Sequence, residues 1–504
     1  MAGLIELVRT GRVVEAHHPW PRVVIDAGRW REAAAKLAGG QLTLLAQWAE
    51  PDTVHMALLE EQPFSIAVFS LPCLGGRYPS IGAAHPPAIR LERVINDIFG
   101  LSAEGARDDR GWLDHGRWGR SQPLGRQASS RSRSSSYTFL PAEGEGLHQI
   151  PVGPVHAGII EPGHFRFTCG GETVVRLEER LGYVHRGVEG LMIGADLQRA
   201  AKLAGRVSGD STVAYAIAFC RAVEEAIGTE APGRAVWLRA LMSELERIAN
   251  HLGDIGAICN DASFALMHTH CGILRERTLR AAHTAFGHRL MRDCVVPGGV
   301  AADVTTAGVT QLHELTEEIR RRLPALVRLY DQTASLQDRT VGTGILRPEL
   351  ARQFGAGGFI GRASGRDFDA RRRPGYDPYN LLRFDSATLS EGDVNARVWI
   401  RIREVEQSLA LIDQILGGLP GASVFEPLPA VSVPCEGMAL VEGFRGDILV
   451  WLRLDESGKV ARCHLRDPSW FQWPLLEAAI ENNIVADFPI CNKSFNCSYA
   501  GHDL

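Results

Sequence analysis

The sequence predicts two unlike parts: an α+β N-terminal domain over residues 1–120 and a mainly α C-terminal domain over 149–504, a helical bundle carrying small β-sheets. Three observations predict it. Short β-branched or alternating runs crowd the first hundred residues, a Ser/Arg/Gly-rich stretch interrupts the chain at 121–148, and five long segments of helical period follow. With 504 residues, 45% hydrophobic and 22% charged, the chain has enough apolar surface for more than one core, which excludes a disordered or fibrous protein.

In the first part VVIDAG, VHMALLEE and FSIAVFSLPC read as strands, and PPAIRLERVINDIFG places apolar residues on one helical face. From Ser121 the text becomes SQPLGRQASSRSRSSSYTFLPAEGEG, which has too few apolar residues to offset the entropy of ordering and reads as a linker. Helical periodicity then marks Ser211 to Ile227, Ala235 to Cys259, Gly272 to Arg292, Thr310 to Leu336 and Gly392 to Leu416. HFRFTCGGETVVRLEE and GMALVEGFRGDILVWLRLDESGKVARCHLR pair apolar alternation with Gly-centred turns, and predict small sheets at the ends of the bundle.

Charge and cysteine content narrow the function. Lys+Arg number 54 against 59 Asp+Glu, a net charge of -5, with no dense basic run beyond the short Arg/Ser stretch; no nucleic-acid partner is expected. Apolar stretches such as Val213 to Cys220 fall short of the roughly 18 to 20 residues that span a bilayer. The N-terminus lacks the pattern of an export signal, so a cytoplasmic location is expected. No two of the ten cysteines are separated by two residues, so the usual seed of a zinc, iron–sulfur or dithiol site is missing.

The specific signal is an ordered series of motifs. GPVHAGIIEPGHFRF opens the large part, followed by LGYVHRGVEGLM at 181–192, ELERIANHLGDIGA at 244–257, PGGV at 297–300 and DRTVGTGIL at 338–346. FGAGGFIGRASGRDFDARRRPGYDPY, GDVNARVWIRIREVEQSLALI and EGFRGDILVWL complete it. The series resembles the large-subunit family shared by the quinone-site subunit of complex I and the nickel–iron hydrogenases, especially the formate hydrogenlyase type. YPSIGAAHPPAIRLERVINDIFG in the small part is similar to the partner peripheral-arm subunit of complex I, and a fusion of the two is a feature of the formate hydrogenlyase type.

The resemblance implies a metal pair held by four cysteines, in an Arg-x-Cys-Gly-x-Cys motif and a C-terminal Cys-x-x-Cys motif. At the first place this chain has Arg206-Val207-Ser208-Gly209-Asp210-Ser211. At the second, the match is either Cys491 with Ser494 or Ser494 with Cys497. Soft thiolates select nickel and iron, and neutral hydroxyls do not replace them, so no metal is expected on this chain.

In complex I the corresponding space is the inner end of a quinone chamber, lined by a histidine and a tyrosine. His156 matches the histidine, whereas Gly205 and Arg206 occupy the region of the tyrosine. An arginine can hydrogen-bond a quinone carbonyl but releases no proton. Glu161 lies in a region similar to one whose glutamate passes protons in hydrogenases; it reads as a proton carrier or as a surface glutamate paired with an arginine. Arg445, in a tight hairpin, is a candidate to hold an anion or carbonyl. The expectation is that His156, Glu161, Arg206 and Arg445 line one emptied cleft together with Ser208, Ser211, Ser494 and a cysteine.

Three further groups stay open between a functional lining and an internal network. They are His185-Arg186 with Glu189, the stripe Glu244, Arg247 and His251, and the charged loop from Arg366 to Arg373, which could meet a partner or solvent. The resemblance implies a peripheral subunit on the inner face of the cell membrane, with an iron–sulfur small subunit and antiporter-like membrane subunits as partners. A quinone is the candidate ligand, and the iron–sulfur cluster belongs to the partner. Two other readings are a silent scaffold and an active hydrogenase.

Overall fold

The computed structural model describes residues 3–126, 137–156 and 160–504. Near the N-terminus, β1 (Arg12–Val13), β2 (His17–His18) and β3 (Arg22–Val24) precede helix α1 (Ala27–Ala38), whose first turn is capped by the Asp26 carboxylate accepting from Arg29 N at 2.9 Å. The meander β4 (Thr43–Glu50), β5 (Thr53–Glu61) and β6 (Phe64–Pro72) follows, and β1-β3-β6-β5-β4 is the order of the sheet. Helix α2 (Ile89–Phe99) ends where Gly100 turns left-handed at φ 75°.

Strand β2 does not join that sheet. It pairs in parallel with β10 (Cys435–Gly443), which continues into β11 (Gly446–Leu454) and β12 (Val460–Arg466). The N-terminal sheet lays its second face on this one: Trp48 meets Trp451 at 5.5 Å between ring centroids, within a shared core of Ala57, Val68 and Leu449. Arg22 of β3 forms a buried ion pair with Glu436 of β10, Nε to Oε2 at 2.9 Å. The α+β unit is therefore built into the larger unit rather than tethered to it.

Residues 127–136 of the expected linker lie outside the described residues. Its described flanks are held: Arg126 pairs with Asp52 at 2.5 Å, Leu140 N donates to Glu178 at 2.7 Å, and the Tyr137 ring is covered by the guanidinium of Arg180 at 4.4 Å. Beyond it, β7 (Leu147–Val152), β8 (His164–Gly170) and β9 (Thr173–Arg180) form an antiparallel sheet.

The bundle consists of α3 (Thr212–Ile227), α4 (Gly233–Asp261), α5 (Ala265–Phe286), α6 (Thr306–Gln332) and α7 (Val394–Gly418). Four of the expected helices hold to within a few residues. The third is displaced: it begins at Ala265 and stops at Phe286, because Gly287 takes φ 78° and ends it before Arg292. The chain closes with α8 (Ser469–Ala479), α9 (Phe488–Phe495) and α10 (Tyr499–Asp503).

Candidate functional site

Five segments meet at one polar junction: the 205–211 loop before α3, one face of α4, the Phe444-Arg445 turn between β10 and β11, α7, and the C-terminal stretch from Ser494. The loop is fixed from behind. Glu246 of α4 accepts from Val213 N at 2.7 Å and Ala214 N at 3.1 Å, taking up two free N–H groups at the start of α3. Burial pushes the Glu246 carboxyl up to about 8.

Ser208 Oγ donates to Asp210 Oδ1 at 2.8 Å and lies 2.8 Å from Ser498 Oγ. A carboxylate only accepts, so the Ser208 proton is committed to Asp210, and Ser498 must donate to Ser208. Ser498 Oγ also accepts from Gly501 N at 2.9 Å, which caps α10. Arg445 grips Asp210 with both ends of its fork, at 2.7 and 2.6 Å, and reaches Ser211 Oγ at 3.3 Å and Asn496 O at 2.5 Å. Burial pushes the Asp210 carboxyl up, but Arg445 outweighs it and holds the group below its ordinary range.

A second pair supports the first. Arg401 of α7 donates to Asp254 of α4 at 3.1 Å and to Ser494 O at 2.7 Å, while Asn496 Nδ2 donates to Asp254 at 2.9 Å. Asn496 takes φ 46°, which an asparagine tolerates, and so turns the chain from α9 into the junction.

The C-terminal motif differs from both expected registers. Ser494 Oγ is engaged elsewhere than at Ser208: it accepts from Arg397 Nε at 2.9 Å and donates to Cys491 O at 2.6 Å. Cys491 is buried against Gly344, where a Cβ would come within 2.6 Å of its sulfur, and burial pushes its thiol up to about 11. Cys497 is also buried, with its thiol raised. The residue opposite Ser208 is Ser498, and Ser498 and Gly501 have the two-residue interval of a Cys-x-x-Cys pair.

These residues do not fit a nickel–iron pair. The positions that converge are three hydroxyls and a glycine, and any side chain at Gly501 would collide with the Asp467 carboxylate. Asp210, the one carboxylate within the first motif, is already paired with Arg445. The hard oxygen donors present are poor ligands for soft low-valent metals.

Arg206 also departs from expectation. Its guanidinium turns outward and forms a two-pronged pair with Asp293, both bonds 2.7 Å, with the side chain 42% exposed. The loop from Ser208 onward is what turns inward. His156, Glu161 and Arg445 instead converge on the C-terminal stretch. Arg445 holds Asn496 O, the exposed Glu161 accepts from Ala500 N at 3.0 Å, and His156 Nε2 lies 3.5 Å from the Tyr499 hydroxyl. Glu161 thus pairs with a backbone amide rather than an arginine. Tyr499 stands edge-on to Trp473 at 4.7 Å, and burial raises its phenol above its ordinary value.

The stripe on α4 resolves as an internal network, and the other open groups do so in part. Glu244 receives Arg247, Arg371, Tyr379 and Ser408 at 3.3, 3.0, 2.6 and 2.6 Å. His251 meets Glu404 at 2.7 Å, and Arg362 bridges Glu404 and Glu442. In the charged loop Asp369 and Arg371 are buried in this network, Arg366 is buried but pairs with Glu61 of β5, and Asp367, Arg372 and Arg373 reach the surface. Glu189 pairs with Arg462 and His464, both at 2.8 Å.

Sequence reasoning missed Asp210, Ser498 and Tyr499. Asp210 could have been found, since it sits inside the first motif between the two serines. Tyr499 gave no signal, because it comes from the opposite end of the chain to the loop where a tyrosine was sought.

Formate hydrogenlyase subunit 5 of Escherichia coli is 30% identical over 436 residues, covering 84% of this chain and 77% of that protein. The chain belongs to the family of formate hydrogenlyase and complex I large subunits. The family description for the respiratory-chain NADH dehydrogenase 49 Kd subunit matches residues 261–438 and 429–503. An NADH-quinone oxidoreductase subunit of Phocaeicola vulgatus is 31% identical over 311 residues, covering 61% of this chain and 60% of that one. Among solved structures, a chain of the membrane-bound sulfane sulfur reductase, an archaeal respiratory membrane complex, superposes with a TM-score of 0.67. It is 27% identical, covering 71% of this chain and 99% of that chain.

Proposed function

We propose that this chain is a peripheral subunit of a membrane-associated oxidoreductase, that it holds no nickel–iron pair, and that its junction forms the hydrogen-bonding end of a quinone-type site. The observation that carries the reading is the pair of His156 and Tyr499, 3.5 Å apart, on the same C-terminal stretch as Ser498, which meets Ser208. A phenol and an imidazole are the groups that can donate to the two carbonyl oxygens of a quinone and deliver protons as it is reduced. Arg445 and Asp210 neutralise each other at the base of the site, so it suits a neutral ligand rather than an anion.

The partners are an iron–sulfur small subunit, which supplies the electrons, and membrane subunits. Among the described residues no helix is long and apolar enough to cross a membrane, which accords with attachment through partners. The chain's own contribution is to orient the acceptor and move protons.

Substitutions Tyr499→Phe and His156→Ala in the assembled complex, with electron transfer to a water-soluble short-chain quinone, test the reading. It expects a loss of about 10²-fold or more with assembly intact, the usual scale for a positioned proton donor. Metal analysis of the same complex should find no stoichiometric nickel. Full activity in both variants would leave the scaffold reading, which the closure of the junction by Arg445 and Asp210 favours.

A further inference from the structure

A second cavity lies away from the junction, where the N-terminal sheet and α2 face β12 and the loop before residue 190. It encloses about 210 Å³. Its walls include Trp48, Ile95, Phe99 and Trp470, and its polar side includes His185 and His464. Most of this wall is carbon. The remaining polar side chains are Gln47 and the Glu189–Arg462 ion pair, whose charges cancel. Apolar cavities of about 150 Å³ stay dry and take up aromatic molecules, whereas sites for drug-sized ligands begin at about 300 Å³. The volume here lies between, and suits one ring or two fused rings.

The hydrogen-bond character of the cavity follows from its histidines. His185 Nδ1 lies 2.6 Å from Asp503 O, and a backbone carbonyl only accepts, so Nδ1 carries the hydrogen. In that tautomer Nε2 presents a bare lone pair, for which the described residues supply no partner. His464 is arranged in the same way: Nδ1 faces the Glu189 carboxylate at 2.8 Å, and its Nε2 has no partner among the described residues. Arg462 and His464 hold Glu189 ionised against its burial, so it too can only accept. Burial keeps the His464 ring neutral by lowering its pKa. The His464 ring is stacked on Trp48 at 5.2 Å and 10°, and His185 lies against Trp118 at 4.7 Å. The cavity thus offers a largely apolar lining with aromatic rings in it, an acceptor at His185, and a Glu189–Arg462 pair whose charges cancel. A ligand that matches it is flat, neutral and carries a donor.

We propose that this cavity binds a small neutral aromatic alcohol, a one- or two-ring phenol whose hydroxyl donates to His185 Nε2. The two sites have no lining side chain in common, although both lean on α10, and the test below reads ligand binding rather than electron transfer, so the two readings stand or fall separately.

The test uses the full chain and three probes of one shape: 1-naphthol, naphthalene and 1-naphthoate, followed by quenching of tryptophan fluorescence, since Trp48 and Trp470 line the site. Saturable binding of 1-naphthol is expected, about tenfold tighter than naphthalene, the scale of one hydrogen bond. 1-Naphthoate, which is charged and has no donor, should not bind. Ile95→Trp, which fills the cavity, should abolish binding; His185→Phe should retain naphthalene and bring 1-naphthol down to the same affinity. Equal affinity for 1-naphthol and naphthalene in the unaltered chain, or no saturable quenching at all, would overturn the proposal. Unchanged 1-naphthol binding in His185→Phe would do the same, even if Ile95→Trp failed to fold.

Discussion

Ser208 and Ser498, separated by 290 positions in the sequence, place their hydroxyl oxygens 2.8 Å apart. That contact joins the first motif to the C-terminal stretch.

The contact can be tested by cross-linking. Two cysteines at positions whose side-chain oxygens touch are close enough to form a disulfide after small rotations. The double variant Ser208→Cys with Ser498→Cys should oxidise to a disulfide, seen as a shift in non-reducing electrophoresis. Ser208→Cys with Ser494→Cys should not, because Ser494 faces Arg397. The opposite pattern would restore the register read from the sequence.

Breaking the Arg445–Asp210 pair should be costly but short of the extreme. Removing one partner of a wholly buried pair costs about 3–5 kcal/mol, because the other charge is stranded. Arg445 is buried, yet the Asp210 side chain is 37% exposed, so water can take part of the loss. Asp210→Asn is expected to destabilise by about 2 kcal/mol, read as a lower Tm; a change within about 0.5 kcal/mol, the size of an ordinary surface substitution, would show the pair to be ornamental.

Ser494→Ala offers a contrasting case. It removes the acceptor for Arg397 Nε but leaves that guanidinium its bonds to Gly392 O and Gly344 O at 2.7 and 2.9 Å. A loss of about 1 kcal/mol in stability with electron transfer unchanged is the expected outcome. A large loss of activity at full stability would return Ser494 to the site.

Glu246 predicts a pH signature. Its carboxyl has an ordinary value of 4.5 and is pushed up to about 8 by burial in the folded chain. Between those values the folded state binds more protons than the unfolded one, so this group's contribution is complete below 4.5 and is lost as pH rises through 8. The effect amounts to at most about 1.4 kcal/mol per pH unit. Tm measured from pH 5 to 8 should fall less steeply for Glu246→Gln than for the unaltered chain, and parallel curves would count against the assignment.

Much of the fold was legible because local rules and burial agreed. Four of the five helices keep close to their expected bounds, the hairpins carry Gly-centred turns, and Gly100 ends α2 by turning left-handed; Gly287 ends α5 in the same way, inside the span read as helix. Four of the site residues were legible only in part. Ser208, Ser211, His156 and Arg445 were found through the resemblance of their motifs to the family's, but their partners were not. Which residue faces Ser208 depends on how α9 turns at Asn496, a conformation that the spacing of cysteines does not encode. Arg206 misled because a motif gives the order of residues and not the direction in which a side chain leaves the loop. The same is true of the charged run from Arg366 to Arg373, where Arg366 finds Glu61 on β5 and Arg371 finds Glu244 on α4, partners that no local pattern reveals.

The parallel pairing of His17 and His18 with Glu436 and Gly437 has a consequence for assembly. A strand from the beginning of the chain completes a sheet made near its end, and Arg22–Glu436 and Trp48–Trp451 close the same seam. The connecting segment is then not what keeps the halves together; it raises the local concentration of one for the other while they find each other. Once docked, the halves should survive severing of the chain between 121 and 146 as a non-covalent pair. Expressed apart, they would have to meet by diffusion, each exposing until then an unpaired strand edge that invites aggregation.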